Sequence, residues 1–379
     1  MRVLHIHSGN LYGGVETFLV TLAREAHLAP HMASAFALCF EGQLRQELLN
    51  HNADVYELGA VRLTRPDSVL RARRKLAALL REESFDLVVC HQPWVSVLFG
   101  DTTRSAGFPL ILWVHMASDG RHWLEKLARL TPPDLILCNS DFSATRISLW
   151  FPDRKVTRVH YALSPVNRSD TLAAERESFR RSFGAGHDAV VIVMVSRLEQ
   201  WKGHQVLLRA LSQLRDDTKW LCWIAGGVQQ TSEHRYLNEL KTRAGAAGIA
   251  DRVRFLGQRS DVPRVLRAAD VFCQPNIEPE PFGLALVEAL AAGLPVVTSG
   301  IGGACEIVEE TCGILTVPGD VDGLAGALRH MTDDAGFRAR LGAAAPNRAD
   351  TLCNAPRQMN RIAEVLSSAL TSKMAEQPA

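Results

Sequence analysis

The residues best suited to chemistry in this sequence lie between positions 278 and 298. Two carboxylates, Glu280 and Glu288, flank a Pro-Phe-Gly turn, and an apolar helix-like run follows. Gly283 permits a tight turn, after which the backbone N–H groups of a helix starting near Leu284 are free to bind an anion. The two carboxylates remain as acceptors for hydroxyl groups. This combination predicts a pocket for a ligand with both phosphate and hydroxyl groups, such as a nucleotide sugar.

Two cations follow the strand predicted at Val190–Val195. Arg197 and Lys202 lie in the loop after this strand, at the carboxyl end where parallel sheets bind ligands. Arginine and lysine are the usual means of neutralising a diphosphate leaving group. Two cations in a loop are often only solvated, but the position of this pair favours phosphate binding.

Two features of the N-terminal half are weaker signals. Gly13 and Gly14 lie between the first strand and a helix beginning near Glu16, and no register fits Gly-x-Gly-x-x-Gly. The turn is either an ordinary strand-to-helix connection or a loop whose amides approach a phosphate. His115 ends a predicted strand, but so does His91, so the pattern alone does not distinguish them.

Short aliphatic runs alternate with helical patterns along the chain, which predicts an α/β fold with parallel, doubly wound sheets. A polar stretch separates two such series. The predicted strands are Val3–His7, Ala35–Phe40, Val55–Leu58, Leu87–His91, Leu110–His115 and Leu135–Cys138, then Val190–Val195, Leu221–Ala225, Val253–Leu256, Val271–Gln274, Pro295–Thr298 and Ile314–Val317.

The two series predict two Rossmann-like domains that face each other across a ligand-binding cleft. The length of 379 residues also favours two domains. We predict an N-terminal domain at 1–163, a linker at 164–188, a C-terminal domain at 189–355, a helix at 356–372 that can cross back to the first domain, and a tail at 373–379.

Composition narrows the partners and the compartment. With 42 Lys+Arg against 41 Asp+Glu, no global field attracts nucleic acid. The N-terminal strand does not resemble a signal peptide, which predicts a cytoplasmic protein. Eight cysteines without a Cys-x-x-Cys spacing predict buried free thiols in a reducing compartment.

Two further motifs have ordinary structural explanations. Asp320 and Asp322 precede an apolar helix, so we expect a helix N-cap rather than metal ligation there. The basic stretch Arg71–Lys75 lies in a leucine-containing helix. It is either a solvated helix face or a surface that contacts the anionic inner face of a membrane.

Taken together, these motifs resemble the glycosyltransferases of family 4, which are retaining enzymes with the GT-B fold. The most specific element is the Glu-x7-Glu signature from Glu280 to Glu288, and the likeness runs nearly end to end. The resemblance implies transfer of a hexose from a nucleotide diphosphate sugar, UDP- or GDP-linked, to a hydroxyl of a glycan, lipid-linked or small-molecule acceptor. It implies no metal and no other cofactor.

The resemblance also implies a role for each matching position. Glu280 would bond hydroxyls of the donor sugar, and Glu288 those of the nucleotide ribose. Arg197 and Lys202 would hold the diphosphate, and His115 would lie near the reacting sugar. Further donor contacts are implied at Gly13, Gly14, Gly257, Arg259, Phe282, Gly283 and Leu284.

Two other functions use the same kind of ligand. Nonhydrolysing sugar-nucleotide 2-epimerases also have two Rossmann-like domains, but the chain shows no carboxylate set matched to that reaction. A non-catalytic nucleotide-sugar-binding protein would keep the fold without turnover, and the intact Glu280, Glu288, Arg197 and Lys202 argue against it. Trp201 lies where family members often carry a smaller or polar residue, and it either stacks on the donor or packs within the protein.

Overall fold

The computed structural model describes residues 1–117, 120, 122–164, 172–217 and 219–376, without the side chains at 172, 173 and 373–376. The chain divides into two compact units. The first is formed by Met1–Ser164 with Cys353–Ala379, and the second by Pro165–Leu352.

The described part of the first unit contains a seven-stranded sheet in the order β3-β2-β1-β4-β5-β6-β7, in which every paired strand is parallel. Its central strands are buried on both faces, as expected for a sheet covered by helices on both sides. The strands are β1 (Arg2–His7), β2 (Ala33–Leu38), β3 (Asp54–Glu57), β4 (Leu87–His91), β5 (Leu110–Val114), β6 (Leu135–Cys138) and β7 (Val156–Arg158). The helices are α1 (Gly14–Arg24), α2 (Gln43–Asn50), α3 (Pro66–Glu82), α4 (Pro93–Ser105), α5 (Trp123–Ala128) and α6 (Asp141–Ser148).

The described part of the second unit contains a six-stranded parallel sheet in the order β10-β9-β8-β11-β12-β13. Its strands are β8 (Val190–Val195), β9 (Trp220–Ala225), β10 (Val253–Gly257), β11 (Val271–Gln274), β12 (Val296–Ser299) and β13 (Gly313–Thr316). Its helices are α7 (Leu172–Ser182), α8 (His204–Ser212), α9 (Thr231–Ala246), α10 (Val262–Ala268), α11 (Leu284–Ala291), α12 (Ala304–Ile307), α13 (Val321–Asp333) and α14 (Ala335–Cys353), and a 3₁₀ turn covers Gln200–Lys202.

The structure contains every predicted strand within two residues of its predicted bounds, and it adds β7, which the sequence did not reveal. β7 has only three residues, none of them fully buried. A short, half-exposed edge strand lacks the apolar run on which the prediction depends.

The predicted linker at 164–188 contains helix α7, which packs within the second unit. Arg180 is buried, and its Nη1 lies 2.8 Å from Asp270 Oδ2, while Arg176 Nη2 lies 2.6 Å from Asp270 Oδ1. Residues 165–171 of this stretch lie outside the described part. The C-terminal helix α15 (Ala355–Glu376) belongs to the first unit, where Leu163 donates its N–H to the Cys353 carbonyl at 2.9 Å.

Two smaller predictions are tested by local contacts. Asp320 Oδ1 accepts the Gly323 N–H at 3.0 Å, which confirms the N-cap of α13. All eight cysteines are free thiols and seven are buried, but the expectation of burial is wrong for Cys305. Cys305 is exposed in the short helix α12, outside the strands that contain four of the others.

Candidate active site

Glu280 lies at the centre of a polar cluster beyond the carboxyl end of β11. Its Oε2 accepts hydrogen bonds from Lys202 Nζ at 2.6 Å, Asn276 Nδ2 at 2.9 Å and Gln274 Nε2 at 3.2 Å. The Glu280 residue is only 8% exposed, and a carboxylate at that depth requires donors and a counter-charge. Within the described residues nothing donates to Oε1, so this oxygen is available to a ligand. These four residues are called the Glu280 cluster below.

The loop that carries Lys202 is clamped to the segment after β11 by backbone contacts. Gly203 has a φ of +81°, and a Cβ at this position would lie 1.8 Å from the Pro275 carbonyl oxygen. The Ile277 N–H donates to the Trp201 carbonyl at 2.8 Å. Only glycine permits this approach, and the approach is what directs Lys202 toward Glu280.

A second glycine pair fixes the backbone of Glu280 itself. The Gly303 N–H donates to the Glu280 carbonyl at 2.7 Å, and Gly302 forms a β-bridge with Glu280. A Cβ at Gly302, whose φ is +69°, would lie 2.4 Å from the Glu280 carbonyl oxygen. Gly302 and Gly303 therefore fix the backbone segment from which the Glu280 carboxylate extends.

Helix α11 begins directly after the Pro-Phe-Gly turn and has no side-chain cap. Gly283 is its N-cap with a φ of +104°, as the predicted tight turn requires. The N–H groups of Leu284 and Ala285 therefore have no acceptor within the helix, and the helix dipole adds positive potential there. Phe282 is buried and Glu288 is half-buried on the second turn of α11. This helix end can bind an anion such as phosphate.

The remaining predicted cations are already paired with carboxylates. Arg197 Nη2 lies 2.9 Å from Glu199 Oε1. Arg259, two residues after Gly257 at the end of β10, binds Asp261 through Nε and Nη2, each at 2.7 Å. This bond lowers the pKa of Asp261.

Trp201 contacts the Glu280 cluster through Lys202. Its ring centroid lies 3.9 Å from Lys202 Nζ. The aromatic face of Trp201 and the Glu280 carboxylate thus contact the same ammonium group.

The glycine turn of the first unit is organised by a buried pair. Gly13 is the N-cap of α1, and its N–H donates to Glu16 Oε2 at 2.9 Å, while Glu16 Oε1 lies 2.7 Å from His7 Nε2. Burial alone would raise the pKa of Glu16, but the hydrogen bonds from His7 and Gly13 outweigh it and lower the pKa. The Gly13 amide is therefore engaged within the protein, whereas Gly14 opens α1, where first-turn amides have no intrahelical acceptor.

His115, directly after β5, is buried with both ring nitrogens engaged. Its Nε2 lies 2.8 Å from His91 Nδ1, and its Nδ1 lies 2.7 Å from Tyr161 Oη. Burial, followed by the neighbouring histidines, lowers the pKa of His115 and that of His91 well below the ordinary value. The structure thus joins His91, which the sequence could not separate from His115, to the same network.

Sequence reasoning missed Gln274, Asn276 and Tyr161. A signal existed for the first two, because polar amides directly after the buried strand Val271–Gln274 and shortly before Glu280 are candidates for the carboxyl end of a sheet. No local pattern marks Tyr161, whose partner lies 46 positions earlier.

No group of three or more His, Cys, Asp or Glu side chains among the described residues is arranged to hold a metal ion. No helix among these residues is both long and apolar enough to cross a bilayer.

Comparison with known proteins identifies relatives over most of the chain. The family model described as Glycosyltransferase Family 4 matches residues 12–164, and the model described as Glycosyl transferases group 1 matches residues 175–348. The lipopolysaccharide core biosynthesis glycosyltransferase LpsD of Rhizobium meliloti is 28% identical over 351 residues, which is 90% of this chain and 91% of that protein. An uncharacterized glycosyltransferase of Methanocaldococcus jannaschii is 28% identical over 282 residues, 70% of each chain.

Solved structures show the same similarity. HepE of Anabaena, solved in complex with UDP and glucose, has a TM-score of 0.85 and 25% identity, covering 97% of this chain and 100% of that one. HepE in complex with UDP-glucose has a TM-score of 0.84 at the same identity and coverage.

The two family models, together with two Rossmann-like units that contain parallel sheets, define a glycosyltransferase of the GT-B class. The chain belongs to the glycosyltransferases of family 4, and this confirms the fold, the family and the enzyme class that the Glu280–Glu288 signature predicted.

Proposed function

We propose that the protein is a retaining, metal-independent hexosyltransferase that takes its sugar from a UDP-linked donor. The acceptor is a hydroxyl group of a glycan, a lipid-linked sugar or a small molecule. The observation that carries this proposal is the contact between Glu280 and Lys202, 2.6 Å apart, beside the uncapped start of α11.

A carboxylate and an ammonium group in contact match the chemistry of a sugar-phosphate junction. In the proposed complex, Glu280 Oε1 accepts from a sugar hydroxyl, and Lys202 contacts the adjacent diphosphate. Cleavage of the glycosyl–phosphate bond places negative charge on the diphosphate, so a fixed ammonium group stabilises the transition state more than the ground state. The half-exposed Arg197 and the first amides of α11 complete the phosphate contacts in this proposal.

The same charges support the proposed metal independence. Lys202, Arg197 and the α11 dipole supply positive potential where a divalent cation would otherwise bind the diphosphate.

Retention is proposed to proceed by attack on the face from which the phosphate leaves. The bond from the anomeric carbon to the diphosphate oxygen breaks, the acceptor oxygen bonds to the same face, and the acceptor proton passes to the leaving phosphate oxygen. The geometry of Glu280 supports this assignment, because three donors on Oε2 suit it to hold hydroxyls rather than to act as a nucleophile.

The UDP donor is supported by the HepE structures, which are complexes with UDP, UDP-glucose, and UDP with glucose. We assign the nucleotide to the second unit, with Glu288 at the ribose and the loop of Gly257 and Arg259 near the base. His115 and Gly14 are assigned to the sugar and the phosphates.

Membrane contact through α3 is a separate part of the proposal. Leu70 is 49% exposed on this helix, and Arg71, Arg74 and Lys75 are exposed beside it. Exposed leucine among basic residues favours an anionic lipid surface. Sedimentation with phosphatidylglycerol vesicles should exceed that with phosphatidylcholine vesicles, and Arg71→Glu/Arg74→Glu should remove the difference. Equal sedimentation with both lipids would contradict this part.

The donor site is tested by thermal stability with UDP, GDP and ADP, each with and without EDTA. A ligand at 100 times its Kd should add about 2.7 kcal/mol to the folded state. We expect a shift with UDP alone, unchanged by EDTA and absent in Lys202→Met, whereas Lys241→Met, at an exposed position on α9, should keep it. A preference for GDP or ADP would contradict the donor assignment, and a shift lost with EDTA would contradict metal independence.

A further inference from the structure

A continuous hydrogen-bonded chain crosses the first unit below the carboxyl ends of its strands. His5 Nδ1 lies 3.0 Å from His91 Nε2, His91 Nδ1 lies 2.8 Å from His115 Nε2, and His115 Nδ1 lies 2.7 Å from Tyr161 Oη. Asn139 Nδ2 donates to Tyr161 Oη at 2.9 Å. No member is more than 6% exposed. These five residues are called the histidine chain below.

The sheet order explains how distant residues meet. β1, β4 and β5 are neighbours, so His5, His91 and His115 come from adjacent parallel strands. The His91 and His115 rings stack with centroids 5.1 Å apart and planes inclined by 12°. Trp113 stacks against both rings, which removes space for other rotamers.

All three imidazoles are neutral near pH 7. Burial lowers the pKa of His5 to about 3, and burial with the neighbouring histidines lowers the pKa of His91 and that of His115 well below the ordinary value. Among the described residues, the titratable groups that face the chain are its own members and His7, which is paired with Glu16. Each ring therefore carries a single N–H, and the chain has a direction.

The tautomers allow two directions, and one of them starts at the Tyr161 hydroxyl. Asn139 Nδ2 donates to Tyr161 Oη, and in this direction the Tyr161 hydroxyl donates to His115 Nδ1. His115 then donates from Nε2 to His91 Nδ1, and His91 donates from Nε2 to His5 Nδ1. All three rings are Nε2–H tautomers in this arrangement, and His5 Nε2, which has no partner among the described residues, ends the chain.

We propose that His91, supported by His5, is a positioning residue for glycosyl transfer: it accepts the His115 Nε2 proton and so holds His115 as an uncharged, oriented ring beside the reacting sugar. This inference rests on the proposed function for the place of the sugar. The sugar ring becomes positively charged in the transition state, and a neutral imidazole avoids repelling it. With both nitrogens engaged, His115 does not transfer protons during the reaction.

Two substitutions at His91 separate this role from simple packing. Asn places an oxygen where His91 Nδ1 accepts, whereas Leu leaves the buried His115 N–H without an acceptor. We expect His91→Leu to lower kcat about tenfold with little change in KM for the donor. His91→Asn should keep at least about half of the wild-type kcat, because the acceptor that His115 requires is restored. Wild-type kcat in His91→Leu, or equal losses in both variants, would overturn the proposal.

The tautomer can be read without turnover. Full-length protein labelled with ¹⁵N only at histidine should show His115 as a neutral Nε2–H ring at pH 7 and again at pH 5.5 in long-range ¹H–¹⁵N spectra. His91→Asn and His115→Asn provide the assignments. A His115 ring protonated at Nδ1, or doubly protonated at pH 5.5, would overturn the proposal. This readout holds even if no transfer is detected, in which case the proposed function would be contradicted and the tautomer assignment would stand.

Discussion

The Glu280 cluster and the histidine chain both use residues from the carboxyl ends of parallel strands, but they hold their ionisable groups in opposite ways. In the Glu280 cluster a carboxylate and an ammonium group are kept together at 2.6 Å, with both side chains partly accessible. In the histidine chain each ring is buried, neutral and hydrogen-bonded to the next. The Glu280 cluster therefore contains an ion pair, whereas the histidine chain consists of uncharged rings.

In the proposed reaction, the difference corresponds to the two ends of a glycosyl–phosphate bond. The leaving diphosphate gains negative charge and needs fixed cations, while the sugar gains positive charge and needs neighbours without cationic charge. Under the proposed function, the Glu280 cluster fits the first charge change and the histidine chain fits the second.

The largest effect is expected for Glu280→Gln. The amide keeps the shape of the side chain but removes the charge that pairs with Lys202 and the strongest acceptor for a sugar hydroxyl. We expect kcat to fall by about 10²–10³, as for the loss of a preorganised polar group in other active sites. Steady-state kinetics with UDP-sugars measure this fall in kcat. Glu278→Gln, at an exposed position two residues earlier, should retain wild-type turnover.

A backbone substitution should disturb the same cluster indirectly. Gly302→Ala would put a Cβ 2.4 Å from the Glu280 carbonyl oxygen at a φ of +69°, so the Glu280 segment has to move. We expect kcat to fall by about tenfold or more, since small displacements of catalytic groups are costly. Gly300→Ala is the matched control, because a Cβ there meets nothing closer than 3.6 Å. Equal activity of the two variants would show that the close contact between Gly302 and the Glu280 backbone does not contribute to catalysis.

The histidine chain should make the first unit acid-sensitive. A histidine with a lowered pKa in the folded state binds more protons when unfolded, so its contribution to stability is present above about pH 6.5 and is lost as the pH falls. Three such rings lie in the first unit, and His204, whose pKa is lowered to about 4, is the counterpart in the second. At pH 5.5 each ring should cost about 1.4 kcal/mol relative to neutral pH.

Hydrogen exchange can compare the two units directly. Lowering the pH from 7.5 to 5.5 should reduce protection in β4 and β5 more than in β8 and β9, after correction for intrinsic exchange rates. His5→Asn, which keeps an acceptor for His91 but cannot titrate, should reduce the difference, and the exposed His187→Asn should not. Equal loss of protection in both units would contradict the predicted difference in acid sensitivity between them.

The smallest effect is expected at Arg259. Its guanidinium is already bound to Asp261 by two bonds of 2.7 Å, so it is not free to bind phosphate with its full charge. Arg259→Met should raise KM for the donor less than about tenfold and leave kcat nearly unchanged. A loss as large as that of Glu280→Gln would show that Arg259 releases Asp261 to bind the donor.

Much of the fold could be predicted from the sequence, because buried parallel strands appear as apolar runs such as Leu87–His91 and Val190–Val195. β7 was not predicted because its three half-exposed residues form no such run. The Glu280 site was visible in part, since the turn at Gly283 and both carboxylates lie within one short segment.

The rest depends on contacts between residues far apart in the chain. Lys202 and Glu280 are 78 positions apart, and the clamp at Gly203 appears only when Pro275 is placed against it. The sequence alone gives His91 no more significance than any other histidine at the end of a strand. The strand order β1-β4-β5 places it beside His115. Sheet order, rather than local pattern, decides these pairs.

The most direct test of the central claim is the anomeric form of the sugar released from UDP-glucose in EDTA, followed by ¹H NMR before mutarotation. Slow donor hydrolysis by a retaining, metal-independent enzyme should release α-glucose first, and Glu280→Gln should release it at least about a hundredfold more slowly. Initial β-glucose, a requirement for metal, or unchanged release by Glu280→Gln would contradict the account.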